Sequence, residues 1–597
     1  MRSAGAEDWP YVPDPLRGTP GGMSVAADTE TAVLIVGGGP VGLTARALLH
    51  QWGVRALLVE KHRELSPFPR SRLVNVRSME IFRGLGLADR ITARAFAPRY
   101  GRVRFRDTLT GADFASAAMV GVNAPVPESP ALGVVTSQDR LEPVLLDAVN
   151  GVNEANEANE ANAVNEASAV NVSGAPTRFG VELLDLAEEG DAVVARLADH
   201  RTGAESRIRA RYVLAADGAH STVRRLLGIG TVGPGALGAI TTVVFDADLD
   251  RWCARRPAGV YFTAHGSFMP LYPEGGWAWF GPTPEGAAGT EGTEATDWGA
   301  LVADALGPDA GVRPEVLRVQ HWVMEAFVAE RLRHGRILLA GDAAHAVPII
   351  GGLGMNAGVA DVHNLCWKLA GVLQGWAGPG LLDTYAPERH PVARETLRQA
   401  VANAQLLRGV QSRRREQLRA GEAAPDRVEL PWTDRYFAQL GLVLGVTYRS
   451  AAVLTADDDP SAPAEPSDCP SPSDASDACD PSVPPAPPAP GTDYVPTPAP
   501  GHRLPHLPLG DGRSTLDAVG PWFTLFTADP GAWAQDTAGS VPLRVEPLAG
   551  AHTVPYRLGP HGALLVRPDG HVAAHWPDGP PRATALPAAL HTITGRR

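Results

Sequence analysis

Val33-Leu34-Ile35-Val36-Gly37-Gly38-Gly39-Pro40-Val41-Gly42-Leu43 is the stretch that decides the fold. An apolar, β-branched run leads into Gly37, Gly39 and Gly42, spaced G-x-G-x-x-G, and a helix-like segment follows to about Trp52. A second apolar run, Val54 to Val59, ends at Glu60. The order strand, turn, helix, strand is what gives the motif meaning. Gly37 permits the tight turn, Gly39 lets the backbone approach a pyrophosphate, and Gly42 lets the helix pack on the strand. The pyrophosphate is expected at the helix start, around Pro40 and Val41, where free N–H groups and the helix dipole favour an anion. Glu60, eighteen residues past Gly42, is placed to accept from a ribose hydroxyl. Lys61 follows it at the adenosine end. The expectation is a bound adenine dinucleotide. Arg46, four residues after Gly42, departs from the pattern, because a small residue usually helps close packing there.

Working outward, 597 residues suffice for two to four domains and a large core. The net charge of −13 argues against a nucleic-acid partner. Lys61 and Lys368 are the only lysines. The four cysteines (Cys253, Cys366, Cys469, Cys479) form no C-x-x-C and no metal spacing, so reduced thiols, no metal site and a cytoplasmic protein are expected. No run approaches a membrane span, and residues 1–30 contain no signal-peptide core. Met1 and Met23 are both candidate starts.

Along the chain, residues 1–30 read as a disordered arm and 31–232 as the first part of a dinucleotide-binding domain. Within that part, Gln138 to Val149 is a good amphipathic helix. Tandem Asn-Glu-Ala triplets follow from Asn153, degrading toward Ser173, and make 152–173 a low-complexity insert in a surface loop. Phe179–Leu186, Ala192–Ala198 and Ser206–Ala210 suggest a small antiparallel sheet, and Arg211–Ala216 a buried strand running into Asp217-Gly218. Strands rich in aromatics occupy 233–332, a candidate substrate-binding β domain. The dinucleotide-binding domain resumes over 333–450, with helices expected at 355–376, 380–420 and 432–448. Residues 451–500 are a Pro/Ser/Ala/Asp-rich linker, and 501–597 regain the strand signals of a small α/β domain.

Two further stretches extend the opening motif. One is Asp217-Gly218-Ala219-His220-Ser221-Thr222-Val223-Arg224; the other is Gly341-Asp342-Ala343-Ala344-His345 with Gly351-Gly352-Leu353-Gly354-Met355-Asn356. Read physically, Asp342 follows a buried strand and is placed to accept from cofactor hydroxyls. The glycines at 351, 352 and 354 let the chain pass close to a flat ring. The helix starting at Met355 would face such a ring with free N–H groups, which favour negative charge on it. In this order and spacing the three stretches resemble the class A flavoprotein aromatic hydroxylases, the para-hydroxybenzoate hydroxylase family, over about 31–450. The tail (Pro500-Gly501-His502-Arg503-Leu504-Pro505-His506 and Leu565-Val566-Arg567-Pro568-Asp569-Gly570) looks like the thioredoxin-like tail of the branch that modifies phenols and aromatic polyketides.

The resemblance implies an α/β chain, α+β overall: a Rossmann-like FAD-binding domain interleaved with a β-sheet substrate domain, plus a small thioredoxin-like C-terminal domain. It implies FAD as cofactor and NADPH or NADH as a transient electron donor without a domain of its own. It also implies O2 addition at the flavin C4a to give a hydroperoxide, and one oxygen transferred to an aromatic, phenolic or polyketide substrate. Arg70 and Gln138 match positions that contact FAD in relatives, and Asp217 and Arg224 belong to a motif serving both FAD and NAD(P)H. Pro348 is followed by Ile349 and Ile350 where many relatives carry a second proline near the substrate hydroxyl, leaving Ile349 to offer a carbonyl. No side chain is expected to act as a catalyst; the flavin-facing backbone of Gly352, Gly354, Met355 and Asn356 carries that part. The residue readings leave plainer roles open: Arg224 pairing a surface carboxylate, Gln138 capping its own helix, His345 as a structural hydrogen-bonder.

Tyr261, His265, Phe268, Tyr272, Trp277 and Trp279, with Ile349, are the candidates for lining the substrate pocket, although alternation turns about half of a strand's side chains away. Trp277-Ala278-Trp279 resembles the W-x-W of flavin halogenases, but neither lysine is placed to serve one. Baeyer–Villiger oxygenation of a ketone or quinone on the same fold, and a flavin-binding protein without oxygenase activity, are the alternatives. A second G-x-G-x-x-G at Gly228, Gly230 and Gly233 has no strand before it and no helix after it, and reads as a decoy. The tail lacks C-x-x-C, so a structural or dimerisation role is expected of it, in a monomer or homodimer.

Overall fold

The computed structural model describes residues 29–160, 177–287, 293, 296–307, 310–422, 435–436, 439–454, 494–509, 512–533, 541–582 and 584–596. Its centre is an eight-stranded sheet. Thr29–Val36 lies between Ala56–Glu60 and Glu205–Ala215, parallel to both, and Ile337–Leu339 continues the parallel set beyond Glu205–Ala215. These strands are continuous apolar runs because both faces are covered. Val33, Leu34, Ile35, Leu214 and Leu338 are fully buried. The helices Pro40–Gln51 and Gly354–Gln374 pack together on this sheet.

Val181–Glu189 and Ala192–Asp199 do not form a separate antiparallel sheet. They extend the central one, because Glu205–Ala215 is a single strand that pairs with Ala192–Asp199 along its first half and with the parallel core along its second. The Gln138 helix also runs further than the periodicity suggests, to Glu160, carrying it into the Asn-Glu-Ala triplets. Glu and Ala are good helix formers, and the triplets hold no proline to stop the helix. The rest of the triplet region, 161–176, the arm 1–28 and most of the linker lie outside the described residues.

A second sheet of nine strands holds the aromatic strands. Its longest pair, Thr231–Asp246 and Glu315–Ala329, is antiparallel, with bulges where the register shifts. Arg102–Arg106 and Asp113–Met119, expected within the dinucleotide-binding part, belong to this sheet instead. Arg-Val-Arg-Phe-Arg alternates in sequence and buries Val103 and Phe105, and Arg106 is buried too, bonded to Asp113. The boundary at 232 is therefore corrected: the two units exchange segments at more than one point. No helix follows the second glycine triplet; Gly233 sits within the strand Thr231–Asp246. Of the expected helix over 432–448, the described residues include the short helix Leu440–Leu444, and Arg435–Tyr436 is a short strand.

The C-terminal domain has a four-stranded sheet, ordered Leu543–Pro547, Phe523–Thr527, Ala563–Val566, Val572–Trp576, and a closing helix Ala585–Ile593. It is fused to the first unit by one shared apolar core, in which Trp367 and Trp376 meet Phe523 edge-on at 5.7 and 6.3 Å. Buried charges cross the same boundary. Arg567 meets Glu388 of the long helix Tyr385–Arg419, and Arg503 meets Glu80. The tail thus has an intramolecular bracing role. Among the described residues no helix is long and apolar enough to cross a membrane, and no cluster could hold a metal ion.

Candidate functional site

The parallel strands end level with one another. Val36 pairs with Val59 and Ala215, and Ala215 with Leu339. One sheet edge therefore gathers Gly37, Glu60, Asp217 and Asp342 at the carboxyl ends of the strands, where open α/β sheets bind ligands. Gly37 has φ +110°, and a Cβ there would lie 2.3 Å from the Ala216 carbonyl oxygen. A Cβ on Gly42 would lie 2.0 Å from the Gly37 oxygen. Both glycines are required by the chain's own packing. Gly39 differs: the nearest atom to its imagined Cβ is Glu142 Oε1, 4.0 Å away, so the space over it is open. Gly39 also starts the helix Pro40–Gln51 with no side-chain cap and no acid in the first turn. Val41 packs instead against Gly341.

Glu60 accepts the Gly38 N–H through Oε2 at 2.7 Å, while Oε1 meets the His62 ring and backbone N–H at 2.6 and 2.9 Å. Burial would raise its carboxyl, but these bonds hold it below the usual range. Lys61 and Arg70 are exposed. The charge of Arg70 favours the ionised form of two carboxyls, Glu142 and Asp342. Gln138 donates from Nε2 to Glu142 Oε1 at 2.7 Å, within its own helix.

Asp217 is turned into its own loop, accepting from the Ser221 hydroxyl at 2.6 Å and the Val223 N–H at 3.1 Å. Arg224 pairs with no carboxylate in its hydrogen bonds. It donates to the Ala219 and Ala343 carbonyls at 2.6 and 2.9 Å and stacks on Phe327, 4.7 Å from the ring centre. It thereby ties the turn holding Gly218 to the turn holding Gly341. Asp342 opens onto the cleft; its surroundings push its carboxyl up, with His345 and Arg70 opposing. His345 is fully buried against Asp361 at 2.6 Å, and Asp361 also holds Arg389 and the Gly341 N–H. This is the structural role left open for it.

Pro348 is buried and Ile349 is 44 % exposed. Gly351 and Gly352 adopt φ +102° and +65°, and a Cβ on Gly352 would strike Leu73. Asn356 donates to the Leu73 and Gly352 carbonyls at 2.8 and 2.7 Å and accepts the Asn75 N–H at 2.9 Å. Its side chain locks the loop, leaving only backbone toward the cleft. The helix Gly354–Gln374, with half-buried Met355 in its first turn, is the second on this cleft without a side-chain cap or an acid at its start. The surroundings suit a dinucleotide with a flat ring: two open helix starts, an open glycine cradle, and a carboxylate between them. Buried polar atoms without partners lie alongside, among them Ser137 Oγ, Asp139 Oδ1 and Glu142 Oε2.

The aromatic candidates separate by sheet face. Tyr261 pairs with Phe268, Phe268 with Trp279, and Trp277 with Phe245, so all share one face. That face is packed under the helix Trp298–Leu306, in a core containing Tyr261, Phe268, Trp277 and Trp279. These four are corrected to core residues. Tyr272 clasps the sheet to the Gln138 helix through Asp139 at 2.6 Å. His265 is exposed in a turn, where its carbonyl accepts from Trp279 Nε1 at 3.0 Å. The opposite face carries Phe262, Met269, Phe280 and Trp322, the last bonded to Thr242 Oγ1 at 3.0 Å. Phe262 belongs to a buried cluster against which Leu73 and Ile350 pack, the latter next to the Gly351–Gly354 loop in the chain. Phe280 and Trp322 are only half-buried. The alternation made half of the strand residues face this way, but no signal in the sequence said which half.

Residues 30–400 match the family described as the FAD binding domain, and 497–596 the aromatic-ring hydroxylase C-terminal family. Aklavinone 12-hydroxylase of Streptomyces purpurascens is 34% identical, across 92% of this chain and 95% of its own. The 4-methyl-5-nitrocatechol 5-monooxygenase of a Burkholderia species is also 34% identical with the same coverage. A solved ternary complex of aklavinone-11 hydroxylase with FAD and aklavinone superposes with TM-score 0.75 at 32% identity, covering 96% of this chain and 100% of that one.

Proposed function

The chain belongs to the family of FAD-dependent aromatic-ring hydroxylases, and we propose that it inserts one oxygen atom from O2 into a phenolic ring of a polycyclic, polyketide-type substrate. FAD, reduced by NAD(P)H, supplies the redox and oxygen chemistry. The chain's own residues supply placement. Backbone at Gly39–Gly42 holds the pyrophosphate on the first helix start, with Arg70 adding positive charge and Glu60 on the adenosine side. Asp342 accepts from ribityl hydroxyls. The loop Gly351–Gly354 passes the ring closely, and the Gly354 helix favours negative charge on it. Asp217 and Arg224 act through the turns they fasten.

The observation that carries the reading is the half-buried aromatic face of Phe280 and Trp322, which shares its side of the sheet with Phe262, of the buried cluster against which Leu73 and Ile350 pack, the latter next to that loop in the chain. A flat apolar substrate there excludes water from the ring, which protects a reactive oxygen donor from side reactions. Aklavinone, named with the relatives, is such a polycycle, and the nitrocatechol of the second relative is a smaller phenol. NADPH oxidation and product structure, measured against polycyclic phenols and against cyclic ketones, test the reading. Hydroxylated phenols support it. Lactones from the ketones alone would favour Baeyer–Villiger oxygenation, and a yellow protein that no aromatic stimulates would overturn both.

A further inference from the structure

Glu142 stands where a negative charge is least welcome. It projects from the Gln138 helix toward the glycine cradle, and its Oε1 is the nearest atom to the open space over Gly39. The residue is 2 % exposed, and its other oxygen, Oε2, has no hydrogen-bond partner. Oε1 is satisfied by Gln138 Nε2. The facing charges are mixed: Arg70 from the loop favours the ionised form, while Glu60 from its strand and Asp139 from the same helix oppose it. The first helix adds no acid in its opening turn. Burial dominates and pushes the carboxyl up to about 7.

A pyrophosphate bound at Gly39 would bring anionic oxygens next to this group. An ionised, unpartnered carboxylate beside them in a water-poor site is strongly unfavourable. A protonated carboxyl has the opposite effect: its O–H is a donor aimed at an acceptor. Building on the FAD site proposed above, we propose that Glu142 binds the cofactor as a neutral carboxylic acid, donating its Oε2 proton to a pyrophosphate oxygen, so that FAD binding takes up a proton. Oε1 remains the acceptor for Gln138. No bond is broken; the proton comes from solvent and stays on Glu142.

Titration calorimetry of FAD into the apoprotein tests this, run from pH 6 to pH 9 in buffers of differing ionisation enthalpy. For the natural chain, FAD affinity is expected to be flat below about pH 7 and to weaken about tenfold per unit above it, with uptake approaching one proton. Glu142→Gln keeps a donor and loses the titration. It should bind within about threefold of the natural chain's low-pH affinity at every pH, without that proton uptake. Equal proton uptake in both proteins would overturn the proposal, as would a Glu142→Gln chain that binds more than tenfold weaker at pH 6. A difference infrared spectrum of the natural chain, FAD-bound minus apo, gives a variant-free readout: gain of a protonated-carboxyl C=O band supports the proposal, and loss of one refutes it. Failure of the natural chain to bind FAD at all would instead sink the cofactor site itself.

Discussion

Arg567 places Nη1 and Nη2 on the two carboxylate oxygens of Glu388, at 2.6 and 2.9 Å, with both side chains fully buried. One residue belongs to the C-terminal domain and the other to the long helix of the FAD unit. Lys368 meets the same carboxylate at 2.6 Å, and Asp569 meets Arg567 and the Trp367 indole. Burial would raise the Glu388 carboxyl, but Arg567 and Lys368 hold it far below its ordinary range. Removing one partner strands the rest. Arg567→Met should cost about 3–5 kcal/mol of stability, since it leaves buried charge uncompensated. Denaturant unfolding of the FAD-saturated protein measures this, with exposed Arg449→Met as the control. Equal midpoints for the two variants would show that the pair does not brace the domains.

The same boundary should respond to acid. His571 is buried and His363 half-buried, and desolvation lowers them to about 4 and about 3. In the unfolded chain they take up protons near their ordinary value, so stability falls as pH drops below about 6.5. Glu80, Asp361, Glu388 and Asp569 are each held below their ordinary values: burial opposes this, but His345 and Arg389 outweigh it at Asp361, and arginine partners outweigh it at the other three. Their contribution is complete above the usual carboxylate range, about 4, and is lost below it. Unfolding free energy should therefore decline in two stages from pH 7.5 to pH 3. A profile flat to pH 4 would contradict the histidine stage.

Asp342→Ala removes an exposed carboxylate from the cleft between the two helix starts. A hydrogen bond to a charged group contributes about 1.5–3 kcal/mol, so FAD should bind about 10- to 100-fold more weakly. The variant should purify pale, and flavin titration gives the affinity. A fully yellow variant would place the ribityl chain elsewhere.

Two tryptophans, on the strands either side of Thr231–Asp246, should behave oppositely. Trp322→Ala opens the half-buried face and should lower kcat/KM by about 10-fold or more, as the loss of an aromatic contact implies, with little change in melting. Trp277→Ala empties the core under the helix Trp298–Leu306 and should cost about 3–5 kcal/mol. Steady-state kinetics and thermal melts on both variants decide. If Trp277→Ala impaired turnover and spared stability, the assignment of sheet faces would be reversed.

The cofactor edge was legible because its parts are local. Gly42 is demanded by the Gly37 carbonyl five residues before it and Gly37 by the backbone turn at Ala216 just past the adjacent strand, and such backbone demands leave spacing patterns; Gly352, pressed by the Leu73 side chain, is a tertiary demand. The substrate face was not legible. Trp277 and Phe280 lie three residues apart on one strand and point to opposite sides; only pairing with Phe245 and Thr242 reveals which side is which. Glu142 was missed because an acid four residues into an amphipathic helix reads as ordinary surface, and its burial arises from a second helix about a hundred positions away. Lys368 is held in a buried pair with Glu388, a wholly tertiary arrangement. Arg46 is 6 % exposed on the first helix, with Nε unpartnered; nothing in the structure explains an arginine there.

The strand order has a consequence for how the protein is made. Val213 pairs with Ile337, yet the residues between them build most of another sheet. During synthesis the strand Glu205–Ala215 emerges long before its last neighbour, so one edge of the parallel sheet stays unpaired while the ribosome adds more than a hundred residues. Unpaired edges are templates for wrong pairing. The inserted strands have to fold before the chain returns at Arg333–Leu339, which makes the yield of soluble protein sensitive to changes far from the parallel sheet.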